Sequence, residues 1–546
     1  MSESEIQTLM QQANEYIQSE RLSRARRCYN KILSIDPQNC DAHYSLGTIA
    51  RQQNDNQAAK QHLLHVYQAE PLNRTFVLEL AGLYADMGMI VESAKVFEAY
   101  LSVQDDIELS GKYAEVLVKA KEFERAVECL KACVGKKPEN LSYRMQLGNL
   151  LYQLLRFEEA QSVYLSAIEY GLKSEGLYLN AAKLHVDHGQ LAVAKDVLNK
   201  GSEDFPENLS FAYRLVQLDA ESLRPELYQR LVDVDEATLE GDNRFYYQWL
   251  LANFAKNRGQ QLVEMEHLVA AHRIYSSITQ FPRSTEFYLQ ALPQLTPPDS
   301  AHFTSRLANL EPVFIIGVPR CGSTLLENII CHGPQNVGKG EETGSVIEAL
   351  AVAYQSGGQN FWEAFVSQLE SSYMRHGLLP EDSSSDVKRF TDKSLENIFL
   401  IDFIMKVMPR AKVVYCDRAP LASIVSIMRN NMSVLPWAHD LNNIFKYVDN
   451  CLVAMDRTKN AYPQRVTTVK YEELVCDPEA ESKALMAFCD LPWGEQCLDF
   501  HKEDKLLSRT ASHVQIRREI NQDAVSAYKQ YESFFEPFSE IYHWAS

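Results

Sequence analysis

The stretch VFIIGVPRCGSTLLE, residues Val313 to Glu327, decides how the second half of this 546-residue chain is read. A short apolar run rich in β-branched residues, VFIIG, gives way to a loop and then to apolar residues at helical spacing. Strand, loop and helix in that order make an anion cradle, because loop N–H groups and the helix N-terminus converge on one point. Gly317, Gly322 and Thr324 keep the spacing of a nucleotide-triphosphate loop, but Ser323 stands where its lysine belongs. Asp417, after a second apolar run, imitates the magnesium aspartate of such enzymes. Without the lysine that reaches the β- and γ-phosphates, the triphosphatase reading is strongly disfavoured. A cysteine-dependent phosphatase fails: it needs an arginine six positions after Cys321, where this chain has Glu327. The loop does contain a cation, Arg320.

Outward from this loop, AKVVYC (411–416) and RVTTVKY (465–471) are further strand-like runs. They alternate with helix-like segments such as SLENIFLIDFIMKVM and APLASIVSIMRNNM. That alternation predicts a parallel sheet covered on both faces, over residues 299–546. The first half has a different grammar. Small residues recur at Ala13, Gly47, Ala81, Ala114, Gly148 and Ala182, and a second set at Ala25, Ala59, Ala94, Ala126, Ala160 and Ala194. Prolines close units at Pro37, Pro71, Pro138 and Pro206. The pattern resembles the tetratricopeptide repeat, a helix–turn–helix whose small residues let two helices approach closely. About six repeats are expected over residues 1–207, with a helical continuation or cap and linker over 208–298, ended by LPQLTPPDSAHF. The fold class is therefore α + α/β: a helical solenoid followed by a phosphate-loop-like parallel-sheet domain.

Composition narrows the function. Net charge is −19 and spread over both halves, so nucleic acid is an unfavourable partner and any anionic ligand needs a local cluster of donors. The eleven cysteines show neither C-x-x-C nor metal-ligand spacing, so they read as reduced thiols, and no metal is expected. There is no run of uncharged apolar residues long enough to span a membrane, and the first twenty residues are polar and acidic. No membrane span, no signal peptide and a cytoplasmic location are the expectation.

PRCGSTLLE is similar to the PRSGTTLLE loop of sulfotransferases that use 3′-phosphoadenosine 5′-phosphosulfate (PAPS), above all tyrosylprotein sulfotransferases and their repeat-bearing bacterial relatives. The resemblance runs over roughly residues 311–536. It implies that Pro319, Arg320, Cys321, Gly322, Ser323 and Thr324 hold the 5′-phosphosulfate without a metal. In VVYCDRAPLASIVSIMRNNM, Arg418 and Ser426 fall on the residues that grip the 3′-phosphate. FTDKSLEN places Lys393 beside the transferring group, although Leu395 replaces a family proline. TTVKYEELVCDPE makes Tyr471 a cofactor contact. TASHVQIRREI supplies Ser512 to the phosphosulfate and Arg517 to the adenosine end, with Glu519 in a proline position. VGKGEETGS carries the base: a count from Pro334 selects Glu341, with Glu342 the adjacent contender, and His332 and His439 as alternatives used elsewhere in the family.

The implied reaction is direct in-line transfer of sulfonate to a hydroxyl, with Glu341 as base and Arg320, Lys393 and Ser512 stabilising the group in flight. The acceptor is a protein tyrosine, a sugar or a small molecule. The repeat array then recruits a protein or peptide, packs on its own enzyme, or makes a homodimer. The competing reading is a non-catalytic repeat scaffold with a vestigial nucleotide pocket.

Overall fold

A computed structural model describes residues 2–219, 222–299, 305–357, 360–380, 389–502 and 518–539. The chain forms two compact units, Met1–Ala181 and Ala182–Ser546.

The first unit is a stack of helix pairs: Ser2–Gln18 with Leu22–Ile35, Cys40–Gln52 with Asn56–Ala69, Arg74–Asp86 with Ile90–Leu101, Ile107–Lys119 with Phe123–Lys136, and Leu141–Gln153 with Phe157–Glu169. Side chains start the first helix of four successive pairs: Asn39, Asn73, Asp106 and Asn140 accept from Ala42, Thr75, Glu108 with Leu109, and Tyr143 N–H groups. Such caps satisfy donors that the first turn leaves without partners. Pro37, Pro71 and Pro138 each stand two residues beyond a helix end, where a missing N–H and a fixed φ stop propagation. The periodic small residues sit where helices touch. A Cβ on Gly47 would lie 2.8 Å from Leu63 Cγ, and one on Gly148 would lie 2.4 Å from the Tyr164 ring. Each turn inside a pair is made by one residue with positive φ: Glu20, Asn54, Gly88, Lys121 and Leu155, at φ 57°, 58°, 73°, 61° and 61°.

The second unit opens with helices, among them Leu191–Asp204, Leu209–Leu218, Asp242–Asn257 and Gln261–Ile278, before reaching a four-stranded parallel sheet. Its strands are β1 (Val313–Gly317), β2 (Thr391–Asp392), β3 (Lys412–Asp417) and β4 (Val466–Lys470), in the order β2-β1-β3-β4. The register pairs Val313 with Thr391 on one side and with Lys412 on the other, and Val413 with Val466. Alternate residues of β1 enter different cores, as the two-residue period of a strand requires. Phe314 and Ile316 join a large cluster with Phe399, Ile424 and Trp437, and Phe245, Trp249, Met265 and Leu268 of the preceding helices belong to the same cluster. Val313 and Ile315 join Leu326, Ile329, Val414 and Leu485 on the opposite face. Both faces are covered at β1 and β3, so these two strands read as near-continuous apolar runs. β1 has β2 on one side and β3 on the other, which makes its C-terminal end a topological switch point, where open α/β sheets bind ligands. No helix among the described residues is long and apolar enough to cross a membrane.

Candidate active site at the C-terminal edge of the sheet

Four strands end at one edge, and each is followed at once by a residue singled out in the sequence. β1 runs into the loop Val318–Gly322, β2 into Lys393, β3 into Arg418 and β4 into Tyr471. Parallel pairing in register is what brings these distant segments together.

The loop is shaped by two left-handed residues, Arg320 at φ 71° and Gly322 at φ 106°, the latter capping helix Ser323–Cys331. Its backbone lies close to its neighbours. A Cβ on Gly317 would be 2.6 Å from both Cys321 Sγ and the Cys416 carbonyl oxygen, and one on Gly322 would be 2.5 Å from the Tyr471 ring. Cys321 turns its thiol into the core under the sheet, where the Cys416 thiol donates to the Cys321 carbonyl at 3.2 Å. The side chain of Cys321 thus packs the loop down and leaves its outer surface to backbone.

Two arginines face each other across this surface. Arg320 Nε donates to Ser426 Oγ at 3.2 Å, joining the loop to helix Pro420–Met428. Arg418 Nη1 donates to the Arg320 carbonyl at 2.9 Å and Nη2 to the Ala524 carbonyl at 3.2 Å, while its guanidinium lies over the Tyr471 ring at 4.6 Å. Arg418 Nε is buried without a hydrogen-bond partner among the described residues. Burial and the adjacent Arg418 push the Arg320 guanidinium down to about 10. Two crowded cations and an unpartnered buried donor are the electrostatic signature of an anion site.

Lys393 occupies the other side. Its side chain is 1% exposed, and Nζ donates to Glu342 at 2.9 Å, with Glu327 Oε2 at 4.0 Å. Burial alone would lower the Lys393 ammonium, but Glu342 and Glu327 reverse this and hold it raised. Asp392 locks the segment, accepting from Ser394 N and Oγ, Asn397 Nδ2 and Tyr373 Oη at 3.0, 2.7, 2.9 and 2.9 Å. The GKGEETG stretch runs along β2: Thr391 N–H donates to the Gly338 carbonyl at 2.8 Å, and a Cβ on Gly340 would fall 2.0 Å from the Thr391 carbonyl oxygen.

The two neighbouring glutamates go separate ways. Glu341 has φ 53°, its carbonyl accepts from the Lys393 N–H at 2.8 Å, and its carboxylate lies 3.9 Å from Lys339. Its side chain is 12% exposed. Glu342 is 45% exposed and is the carboxylate bonded to Lys393. The two candidate histidines have other partners. His332 donates back to the Asn328 carbonyl of its own helix at 2.7 Å. His439 is buried against His272, Nδ1 to Nδ1 at 3.0 Å, and stacks on Tyr275. Ser512 and Arg517 lie outside the described residues. Sequence reasoning passed over Glu327 and Asp392, fully buried carboxylates; Glu327 accepts from the Glu341 N–H and lies 4.0 Å from Lys393, and Asp392 accepts from Ser394 and Asn397. The signal for Asp392 was its place beside Lys393; for Glu327 there was only its helical position.

Residues 312–495 match the model of the sulfotransferase family, and residues 10–64 match a tetratricopeptide repeat. The chain is similar to an uncharacterized protein of Aquifex aeolicus, 25% identical over 244 residues, covering 42% of this chain and 32% of that one. It is also similar to protein-tyrosine sulfotransferase 1 of Danio rerio, 28% identical over 244 residues, covering 39% and 64%. It therefore spans about a third of the length of the first relative and just under two thirds of the second. Among solved structures, the sulfotransferase domain of the Synechococcus PCC 7002 olefin synthase overlaps 43% of this chain and 91% of its own, at 18% identity and a TM-score of 0.30.

Proposed function

We propose that this chain, in which tetratricopeptide repeats precede a sulfotransferase-family domain, moves a sulfonate group from PAPS to an acceptor hydroxyl. The observation that carries the reading is the arrangement at the switch point. Arg320, Arg418 and Ser426 are joined at one end of the sheet edge, and Lys393 with Glu342 stands at the other. The residues suit a doubly anionic nucleotide. Arg418 offers a buried Nε with no hydrogen-bond partner among the described residues, the two guanidinia repel each other until an anion separates their charge, and glycines at 317 and 322 let backbone approach closely. In this reading Arg418 and Ser426 take the 3′-phosphate. Pro319, Arg320, Cys321, Gly322, Ser323 and Thr324 cradle the 5′-end, the cysteine through its backbone, and Tyr471 walls the pocket.

The bound donor supplies an electrophilic sulfonate on a phosphate leaving group. The chain supplies the rest. Glu342, on the solvent side of Lys393, receives the acceptor hydroxyl proton at its carboxylate, in preference to Glu341, whose side chain is turned toward Lys339. Lys393 Nζ places a positive charge where negative charge grows, and its burial strengthens that interaction. Ser512 and Arg517 keep the roles that the family resemblance implies. The repeats recruit the acceptor or a partner protein, and protein tyrosine is the acceptor class favoured by the tyrosylprotein relatives. Calorimetry in the presence of chelator tests the donor assignment. 3′-Phosphoadenosine 5′-phosphate should bind, and ATP much more weakly; tight magnesium-dependent ATP binding overturns it.

A further inference from the structure

Lys393 poses a problem for this chemistry. Its only short ion pair among the described residues is to Glu342, at 2.9 Å, the same carboxylate whose negative charge is lost when it accepts a proton. An ammonium 1% exposed cannot be stranded, because a buried charge without a partner costs several kcal/mol. A second carboxylate is already in place. Glu327, on the helix that begins at the anion loop, is completely buried, and its Oε2 lies 4.0 Å from Lys393 Nζ with no hydrogen-bond partner among the described residues. Its Oε1 accepts from the Glu341 N–H and from Thr391 Oγ1, both at 2.9 Å. One carboxylate therefore touches the turn that carries Glu342, the strand that carries Lys393, and the space beside the ammonium itself.

We infer that Glu327 is a positioning residue, a buried counterion that holds Lys393 through Oε2 and the Glu341–Glu342 turn through Oε1, so that Glu342 can accept a proton without leaving Lys393 stranded. The other charged groups around this pair do not replace it. Glu341 carries Lys339 at 3.9 Å, Glu342 is half in solvent, and Cys331 is a thiol that burial and Glu327 hold up in its protonated form. Lys339 faces Glu327 from outside and donates to Asn328 at 3.2 Å. Asp392 is occupied by its own donors.

The inference rests on the sulfonate-transfer reading, and its test separates the two. Binding of 3′-phosphoadenosine 5′-phosphate is titrated against pH by calorimetry. In the native protein affinity should fall only at high pH, where the cations of the site lose their protons. In Glu327→Gln the loss of affinity should begin at least about one pH unit lower, because an opposite charge within reach of Lys393 has gone. Glu327→Asp, which keeps the charge, should stay near the native curve. A purely structural glutamate would give equal curves for Gln and Asp, and that result overturns the inference. Thermal unfolding decides the pairing independently of any ligand. Lys393→Met combined with Glu327→Gln should melt well above the sum of the single losses, whereas additive losses overturn it. Failure of the native protein to bind the nucleotide would instead sink the donor reading and leave the unfolding cycle to judge the ion pair.

Discussion

Gly322→Ala places one methyl group where the loop, Tyr471 and Arg418 meet, and its cost can be built from the geometry. The residue has φ 106°, so alanine there carries backbone strain of about 1–3 kcal/mol. The new Cβ would also lie 2.5 Å from Tyr471 Cδ2, against a comfortable carbon–carbon separation of about 3.5–4.0 Å. The ring has to retreat by roughly an ångström. It supports the Arg418 guanidinium at 4.6 Å, an interaction of about 0.5–2 kcal/mol. Arg418 in turn donates to the Arg320 carbonyl. A total near 2–4 kcal/mol is expected, with part of it appearing as lost affinity because the parts that move form the proposed anion cradle. Thermal unfolding should fall by several degrees, and affinity for 3′-phosphoadenosine 5′-phosphate by about tenfold or more, since about 1.4 kcal/mol is a factor of ten. Unchanged affinity together with an unchanged melting temperature would refute the close packing of Gly322 on Tyr471 and its link to the anion site.

Substituting the two neighbouring glutamates should separate their roles. Glu342→Gln is expected to lower turnover by about 10²–10⁴-fold, the span typical of losing a general base, while Glu341→Gln costs much less; steady-state rates with saturating donor make the comparison, and a reversed order would return the base to Glu341. The buried His272–His439 pair should make the second unit acid-labile. Burial holds both rings below their usual value, with His439 near 3, so the unfolded chain binds protons first. Stability is then fully present above about pH 6.5 and declines as pH falls below it, by about 1.4 kcal/mol per pH unit for each ring that stays neutral. Denaturant titrations from neutral to mildly acidic pH measure the slope, and His439→Gln should reduce it; an equal slope in the variant would show that the pair contributes nothing.

The repeats were legible because two sets of small residues keep one period: the alanines of both sets are buried, and at Gly47 and Gly148 a neighbouring side chain occupies the space of a Cβ. The positive-φ residues of the turns keep a similar period, yet glutamate, asparagine, glycine, lysine and leucine share no side-chain signature, so no pattern announced them. β1, β3 and β4 were visible as apolar runs. β2 was not, since Thr391–Asp392 is two residues long and carries no alternation. The helices from Leu209 to Ile278 read as a fading array, but Phe245, Trp249 and Leu268 share the core of the sheet, a fact of packing that periodicity does not carry. At the site, Arg320, Lys393, Arg418, Ser426 and Tyr471 were all indicated by motif, and the fold brings them to one edge. Glu341 and Glu342 could not be ranked by counting, because a left-handed residue at 341 turns one carboxylate to Lys339 and leaves the next to Lys393.

The most direct test of the proposed activity is transfer itself. The full chain is incubated with PAPS carrying radiolabelled sulfur, with chelator present, and with tyrosine-containing peptides, sugars and small phenols as acceptors. Label should move to a hydroxyl in the native protein, and the transfer should collapse in both Lys393→Met and Glu342→Gln while 3′-phosphoadenosine 5′-phosphate still binds the latter. Transfer undiminished in both variants, or no transfer to any hydroxyl from a protein that binds the nucleotide, would contradict a sulfotransferase built on this sheet edge.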